Sequence, residues 1–305
     1  MKPIRFVSVR ELRPPVSTTQ ARRDRLIALM TGLLLFCGVR TPAHGGPKDF
    51  GVFVTRLGGD PISAKPFIDK LAAYLEQEMG WAKGLSKGSF FSGKEEAIAF
   101  FKGAQPGFAV LEPPLFFELR QANGLTPIVA IESPDLVSPQ LHLVVLNPAW
   151  SSIEQLKGKT LWTTLADSPR YLSQIVFGGE VEASRYFKTK KIGHALKGVR
   201  AVLRKQADAT LLDDGQLASA KQMAGGSHLR SIYHSPALVP LPVVAFSKRM
   251  TLKEQKTLAK VLLKMCSTPA GAKICHEIRI NKFVPIQTSI FHQAQERYEK
   301  PSIPR

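Results

Sequence analysis

From residue 49 to residue 278 the chain alternates short β-branched or aromatic runs with longer segments whose apolar residues recur at three and four. Few folds accept that pattern. A strand repeats every two residues and a helix every 3.6, so each segment buries an apolar face in only one of the two forms. Strands separated by helix-length segments pair in parallel through crossovers, so α/β layers with a largely parallel sheet are the expected class. Strands are expected over 49–55, 89–92, 106–111, 126–132 and 140–147. Helices are expected between them over 64–79, 94–102 and 114–123. Phe67, Leu71, Tyr74 and Leu75 mark the inner face of the first helix, while Gly103 and Asn123-Gly124 stop the next two.

A second unit opens at Ser151. Either serine of Ser151-Ser152 can cap a short helix, Ile153 and Leu156 share one face of it, and Gly158 stops it before a strand begins at Thr160. Strand 160–164, helix 169–178, a basic segment through Lys191, helix 194–205, strand 207–212, helix 215–224 and strand 229–234 follow. Strand 240–246 then returns to the first unit. Helices over 251–265 and 269–278 come next, capped by Thr251 and Thr268, with Pro269 in a first helical position. The residues after Arg297 are expected to fray.

Residues 1–45 read as a secretory signal. Arg22, Arg23 and Arg25 precede an uncharged run from Leu26 to Val39, and small or turn-forming residues follow at Thr41, Pro42, Ala43 and Gly45. That run is shorter than the roughly 20 residues a membrane-spanning helix needs. A retained N-terminal anchor is the other reading. The whole chain carries a formal charge of +18, and the segment after the leader stays strongly basic. A basic surface favours anionic solutes, anionic membranes or nucleic acid. No nucleic-acid motif accompanies it, and export argues against a nucleic-acid partner. Two of the three cysteines, Cys266 and Cys275, lie beyond the leader, so an oxidising compartment makes a disulfide reasonable, with two free thiols as the alternative. No four-ligand metal spacing, phosphate-binding loop or nucleophile elbow is present, so the chain reads as a non-enzyme without cofactor or metal.

Four stretches together resemble the phosphate/phosphite/phosphonate-binding family of ABC-type periplasmic solute-binding proteins, over roughly residues 48 to 290. They are the opening from Phe50 to Leu75 with Pro66-Phe67-Ile68; the Leu156-Lys157-Gly158-Lys159 crossing; Gly193-His194 through Val202 with Lys205-Gln206-Ala207-Asp208-Ala209 and Asp214; and Ile232-Tyr233-His234-Ser235-Pro236 through Pro240-Leu241-Pro242. The resemblance implies a two-lobed type 2 periplasmic-binding-protein-like fold, each lobe a mostly parallel sheet flanked by helices, joined by two hinge strands. One lobe would comprise 46–147 and 235–305, the other 148–234. It implies a monomeric periplasmic protein that captures a small anionic solute and presents it to the membrane permease of an ABC transporter. A ligand sensor for a membrane receptor kinase is the alternative from another class, and a few enzymes share the fold.

Ligands of open α/β sheets bind beyond the carboxyl ends of strands. That rule and the resemblance select Thr55, Arg56, Glu112, Ser168, Arg170, Tyr171, His194, Asp214, Tyr233 and Ser235. Ser168 can cap a helix begun by Pro169, and a helix N-terminus favours an anion. Pro169 removes one N–H donor there and Asp167 adds a negative charge that Arg170 could offset. His194 matches the family histidine at the start of a second-lobe helix. Asp214 matches a family acid that would accept from a ligand, hold His194 in orientation, or cap a helix. Glu112 suits an anion site only if Arg56 or Arg170 pairs with it. Leu241 stands where amine-binding relatives carry an acid, which argues against an aminoalkylphosphonate.

Overall fold

The computed structural model describes residues 48–55, 60–133 and 140–301. The leader 1–45 lies outside the described residues. The first part of the chain runs β1 (Phe50–Phe53), α1 (Pro61–Met79), β2 (Gly88–Phe91), α2 (Lys94–Gly103), β3 (Phe108–Leu111), α3 (Pro113–Asn123) and β4 (Leu125–Glu132). The sequence expectation started α1 at Ala64. It begins earlier because Asp60 accepts the N–H groups of Ile62 and Ser63 and Pro61 occupies the first turn.

The second part holds β5 (His142–Val145), a 3-10 turn at Ile153–Leu156, β6 (Thr160–Thr163), α4 (Pro169–Tyr171) running into a π-helical turn Leu172–Val176, α5 (Ala183–Tyr186) and β7 (Lys188–Lys191). It continues with α6 (Ala195–Leu203), β8 (Ala209–Leu212), α7 (Asp214–Lys221) and β9 (Arg230–His234). The basic segment through Lys191, to which the sequence reading assigned no element, holds a short helix and a strand. Gly158 has φ +76°, and its N–H donates to the Tyr186 carbonyl at 2.8 Å, so the predicted turn also anchors the start of β6. Gly198 lets α6 lie on the sheet: a Cβ there would stand 2.2 Å from the Thr210 hydroxyl.

The chain then returns through β10 (Leu241–Phe246), α8 (Leu252–Met265), α9 (Pro269–Glu277), β11 (Lys282–Pro285) and α10 (Thr288–Glu299). The sequence reading assigned no element to the stretch holding β11 and α10, and expected fraying only after Arg297, where α10 continues to Glu299. β11 is short and exposed at both ends, yet it pairs antiparallel with β4. α10 has no N-terminal side-chain cap and is held by packing, with Phe291 and Ala294 buried.

Two sheets result. The first has the order β11-β4-β10-β3-β1-β2 and the second β7-β6-β8-β5-β9. The pairs β1–β2, β1–β3, β6–β7 and β6–β8 are parallel, as crossover helices require. The strands next to the two crossings between sheets, β4, β5, β9 and β10, pair antiparallel. One apolar core extends across both parts: Phe101, Leu111 and Phe117 from the first share it with Leu143, Leu161 and Phe177 from the second and Phe291 from α10. A second core lies on the other face of the first sheet, under α1, α8 and α9. A third fills the space between the second sheet and α6 and α7.

Cys266 and Cys275 are bridged, with Cα atoms 5.6 Å apart, tying the end of α8 to α9. Thr268 accepts the Gly271 N–H and Pro269 opens α9, as the sequence indicates. Replacing both cysteines by serine should lower stability by about 2–3 kcal/mol for so short a closed loop, read from the midpoint of urea unfolding.

Lys48 pairs with Glu254, which also completes the capping box of Thr251 at the start of α8. Hydrogen bonding from Lys48, then from the Thr251 N–H, lowers the Glu254 pKa from the usual 4.5 to about 2. A depressed carboxylate pKa stabilises the fold above its unfolded value and ceases to do so as pH falls through the folded value. Between pH 4.5 and 2 the wild-type melting temperature should therefore fall more steeply than that of Glu254→Gln; identical slopes would remove Glu254 as a source of acid sensitivity.

Candidate functional site

The carboxyl ends of β1, β2 and β3 face those of β6 and β7 across a cavity of about 200 Å³. Its polar lining comes from both sheets: Thr55, Ser92, Lys94 and Glu112 on one side, Thr164, Asp167, Ser168 and Lys191 on the other. Lys94 is the first residue of α2 and its side chain is 11% exposed. Its ammonium lies 2.7 Å from the Glu118 carboxylate and donates to the Asp167 carbonyl at 2.8 Å and the Ser168 hydroxyl at 3.4 Å. One buried cation thus joins the two parts of the molecule across the cavity. Lys191, at the end of β7, pairs with the Asp167 carboxylate.

Two helices also start at this cavity. α2 follows Gly93 and α6 follows His194, and neither start carries a side-chain cap hydrogen bond. Lys94 and Gly193, beside those starts, line the cavity. The first-turn N–H groups and the positive ends of the helix dipoles suit an oxyanion. α3 contributes less, because Pro113 and Pro114 have no N–H. The cavity lining thus combines two ammonium groups with the carboxylates of Glu112 and Asp167.

The sequence-selected residues separate into groups. Thr55 and Ser168 line the cavity beside Glu112. The Thr55 hydroxyl donates to the Glu112 carboxylate at 2.8 and 3.0 Å; of Arg56 and Arg170, the two partners the sequence offered for this acid, Arg170 is engaged elsewhere. Arg170 instead turns to α10: its Nε donates to the Tyr298 carbonyl at 2.9 Å and its guanidinium sits 5.1 Å from the Tyr298 ring centre. Arg56 lies outside the described residues. Ser168 precedes Pro169 without capping α4. His194 is exposed at the start of α6.

Asp214 reaches His142, not His194, with Oδ1 2.7 Å from Nε2. The other nitrogen of His142 lies 3.2 Å from the Ser231 hydroxyl, and its ring meets that of His234 edge-on at 4.5 Å. This cluster stitches β5, β9 and α7 together. Ser235 is buried, accepts the Leu141 N–H at 2.8 Å and donates to the Pro236 carbonyl at 2.9 Å, fastening the two crossing segments to each other. Tyr233 packs 5.7 Å from Phe177, and burial together with Glu180 raises its phenol pKa. Tyr171 is buried 6.1 Å from Phe117 and lines a neighbouring cavity of about 410 Å³ under the crossing, together with Leu241.

Lys94, Lys191 and Gly193 escaped selection although the strand-end rule reaches each of them. Lys94 follows β2 by three residues, while Lys191 closes β7 and Gly193 follows it. The basic run from Lys188 hid the position of Lys191, since nothing local distinguishes the lysine that faces the cavity from its exposed neighbours.

Residues 60–291 match the family model described as the phosphonate periplasmic substrate-binding protein of ABC transporters. The chain belongs to this family. It is therefore a periplasmic substrate-binding protein of an ABC transporter and an exported protein; the family binds small anionic ligands, works with permease and ATPase components, and is not one of enzymes. Solved structures share the fold. The chain is 15% identical to the chloride-bound XAC2383 of Xanthomonas citri, with a TM-score of 0.62 over 82% of this chain and 95% of that one. It is 16% identical to a binding-protein component of an ABC phosphonate transporter from Pseudomonas aeruginosa, with a TM-score of 0.55 over 82% and 87%. PhnD1 of Prochlorococcus marinus, solved with methylphosphonate, is 15% identical, with a TM-score of 0.52 over 83% and 97%. No curated protein sequence matches the chain.

Replacing Lys94 by methionine keeps the length of the stem but removes all three contacts. The variant should lose about 1.5–3 kcal/mol of stability, read from the midpoint of urea unfolding, and an unchanged midpoint would mean that these contacts across the cavity do not stabilise the fold.

Proposed function

We propose that this family member captures a small oxyanion of the phosphonate or phosphate class in the cavity between its sheets. One observation carries the reading: Lys94, Lys191 and the uncapped starts of α2 and α6 converge on a single cavity built by strand ends from both sheets. A volume of about 200 Å³ suits a solute of few heavy atoms. The methylphosphonate held by PhnD1 is of that size and charge class.

In this reading Thr55 and Ser168 donate hydroxyls to the oxyanion and His194 offers a further donor at the start of α6. Lys191 exchanges the Asp167 carboxylate for the ligand, and Arg56, next to Thr55 in sequence, is a further donor. Thr55 has a single hydroxyl proton, so it turns that proton from the Glu112 carboxylate to the solute on capture. Arg170, Tyr171, Asp214, Tyr233 and Ser235 support the surrounding framework. Two lobes, 46–140 with 235–305 and 141–234, close on the solute, because only the closed form gains contacts from both; the first bound moves back from the 147 expected from sequence because β5 pairs with β8 and β9. The leader 1–45 is removed on export, and the protein delivers its solute as a monomer.

The test is a thermal-shift and calorimetric titration with methylphosphonate, phosphate, sulfate and acetate. A saturable rise in melting temperature with a phosphorus oxyanion is expected. Lys191→Ala should weaken its binding by about 1.5–3 kcal/mol, roughly 10- to 150-fold. No shift with any oxyanion, or undiminished affinity in Lys191→Ala, would overturn the assignment.

A further inference from the structure

On the α1 side of the first sheet lies a second kind of cavity, about 290 Å³ and almost wholly apolar. Val52 and Val110 form its floor, Ala64 and Leu71 of α1 one wall, and Ile278 at the end of α9 another. Val110 shows that this space is real to solvent. It belongs to β3, a strand paired on both sides in the middle of the sheet, yet it is only half-buried. Phe67, on the α1 wall, is 38% exposed.

The rim differs in chemistry from the interior. Among the described lining residues, Ser63, Glu277 and Arg279 are the exposed polar ones. Lys70 joins them, with its ammonium 2.6 Å from the Glu277 carboxylate and 5.8 Å from the Phe67 ring centre. Two cations therefore stand beside one acid at the mouth of an apolar space. Water gains few hydrogen bonds inside such a space, and an apolar cavity of about 150 Å³ already accommodates benzene.

We infer that this cavity is a binding site for an amphiphile: a hydrocarbon chain of roughly eight to twelve carbons, by the same volume scale, bearing a carboxylate. The chain would lie between α1 and the sheet, with its head at Arg279 and Lys70. The site is separate from the oxyanion cavity, with which it shares only the edge of β1 at Val54 and Phe90 of β2. It does not depend on that assignment.

Isothermal titration of the full chain with decanoate, hexanoate and decyltrimethylammonium tests it. Decanoate should bind saturably at one site, with each of the others at least about tenfold weaker. Ala64→Trp and Ile278→Trp, which fill the space from opposite walls, should each weaken decanoate about tenfold while keeping a native circular-dichroism spectrum, and Lys191→Ala should leave its affinity unchanged. A photoreactive decanoate analogue should label the unaltered chain within 64–71 or 278–280. Absence of saturable binding, equal binding of the cationic amphiphile, a loss in Lys191→Ala, or labelling elsewhere would each overturn the inference.

Discussion

The structure depends on one apolar core that passes without interruption from the first sheet to the second. Phe116 and Phe117 of α3 meet Phe291 and Tyr298 of α10, and Phe117 lies near Tyr171 at the start of the second part's π-helical turn. Aromatic rings bury large areas and prefer stacked or edge-on geometries, so a run of them fixes orientation as well as adhesion. The two sheets are thereby held with their strand ends opposed. The cavity between the sheets is the polar remainder of that arrangement, where the opposed ends carry lysines, acids and helix starts in place of apolar side chains.

The charges in that cavity obey the same economy as any partly buried ions. An ammonium removed from water is costly unless it is paired, and Lys94 has the Glu118 carboxylate and the Asp167 carbonyl, while the more exposed Lys191 pairs with the Asp167 carboxylate. Asp167 occupies the place beside Lys191 that a bound anion would take. In the proposed reading, capture exchanges one anionic partner of Lys191 for another. Such an exchange keeps the affinity for weakly interacting anions low, because each must outcompete a carboxylate already in position.

Much of this was legible in the sequence because it is local. The caps at Thr251 and Thr268, the turn at Gly158 and the alternation of strands and helices need only neighbours along the chain. The family resemblance drew on the same local stretches. What could not be read was whatever depends on distant partners. Arg170 was expected at the cavity, but a carbonyl in α10, more than a hundred residues on, draws it away. Asp214 was expected near His194, but β5 brings His142 to it. α10 itself carries a weak apolar stripe and no cap, so its stability lies almost entirely in contacts with α3 and the π-helical turn.

The position of β10 has a consequence for how the exported chain acquires its shape. β10 lies between β3 and β4, and β11 extends the same sheet beyond β4. The earlier strands of that sheet cannot complete their ladders until residues 241–285 have followed them across the membrane. The second sheet draws all five of its strands from 142–234 and has no such debt. Contacts that close long loops form late, so the part of the protein made second is the part able to fold first. The opening segment waits, with β3 and β4 unjoined, for the end of the chain to arrive.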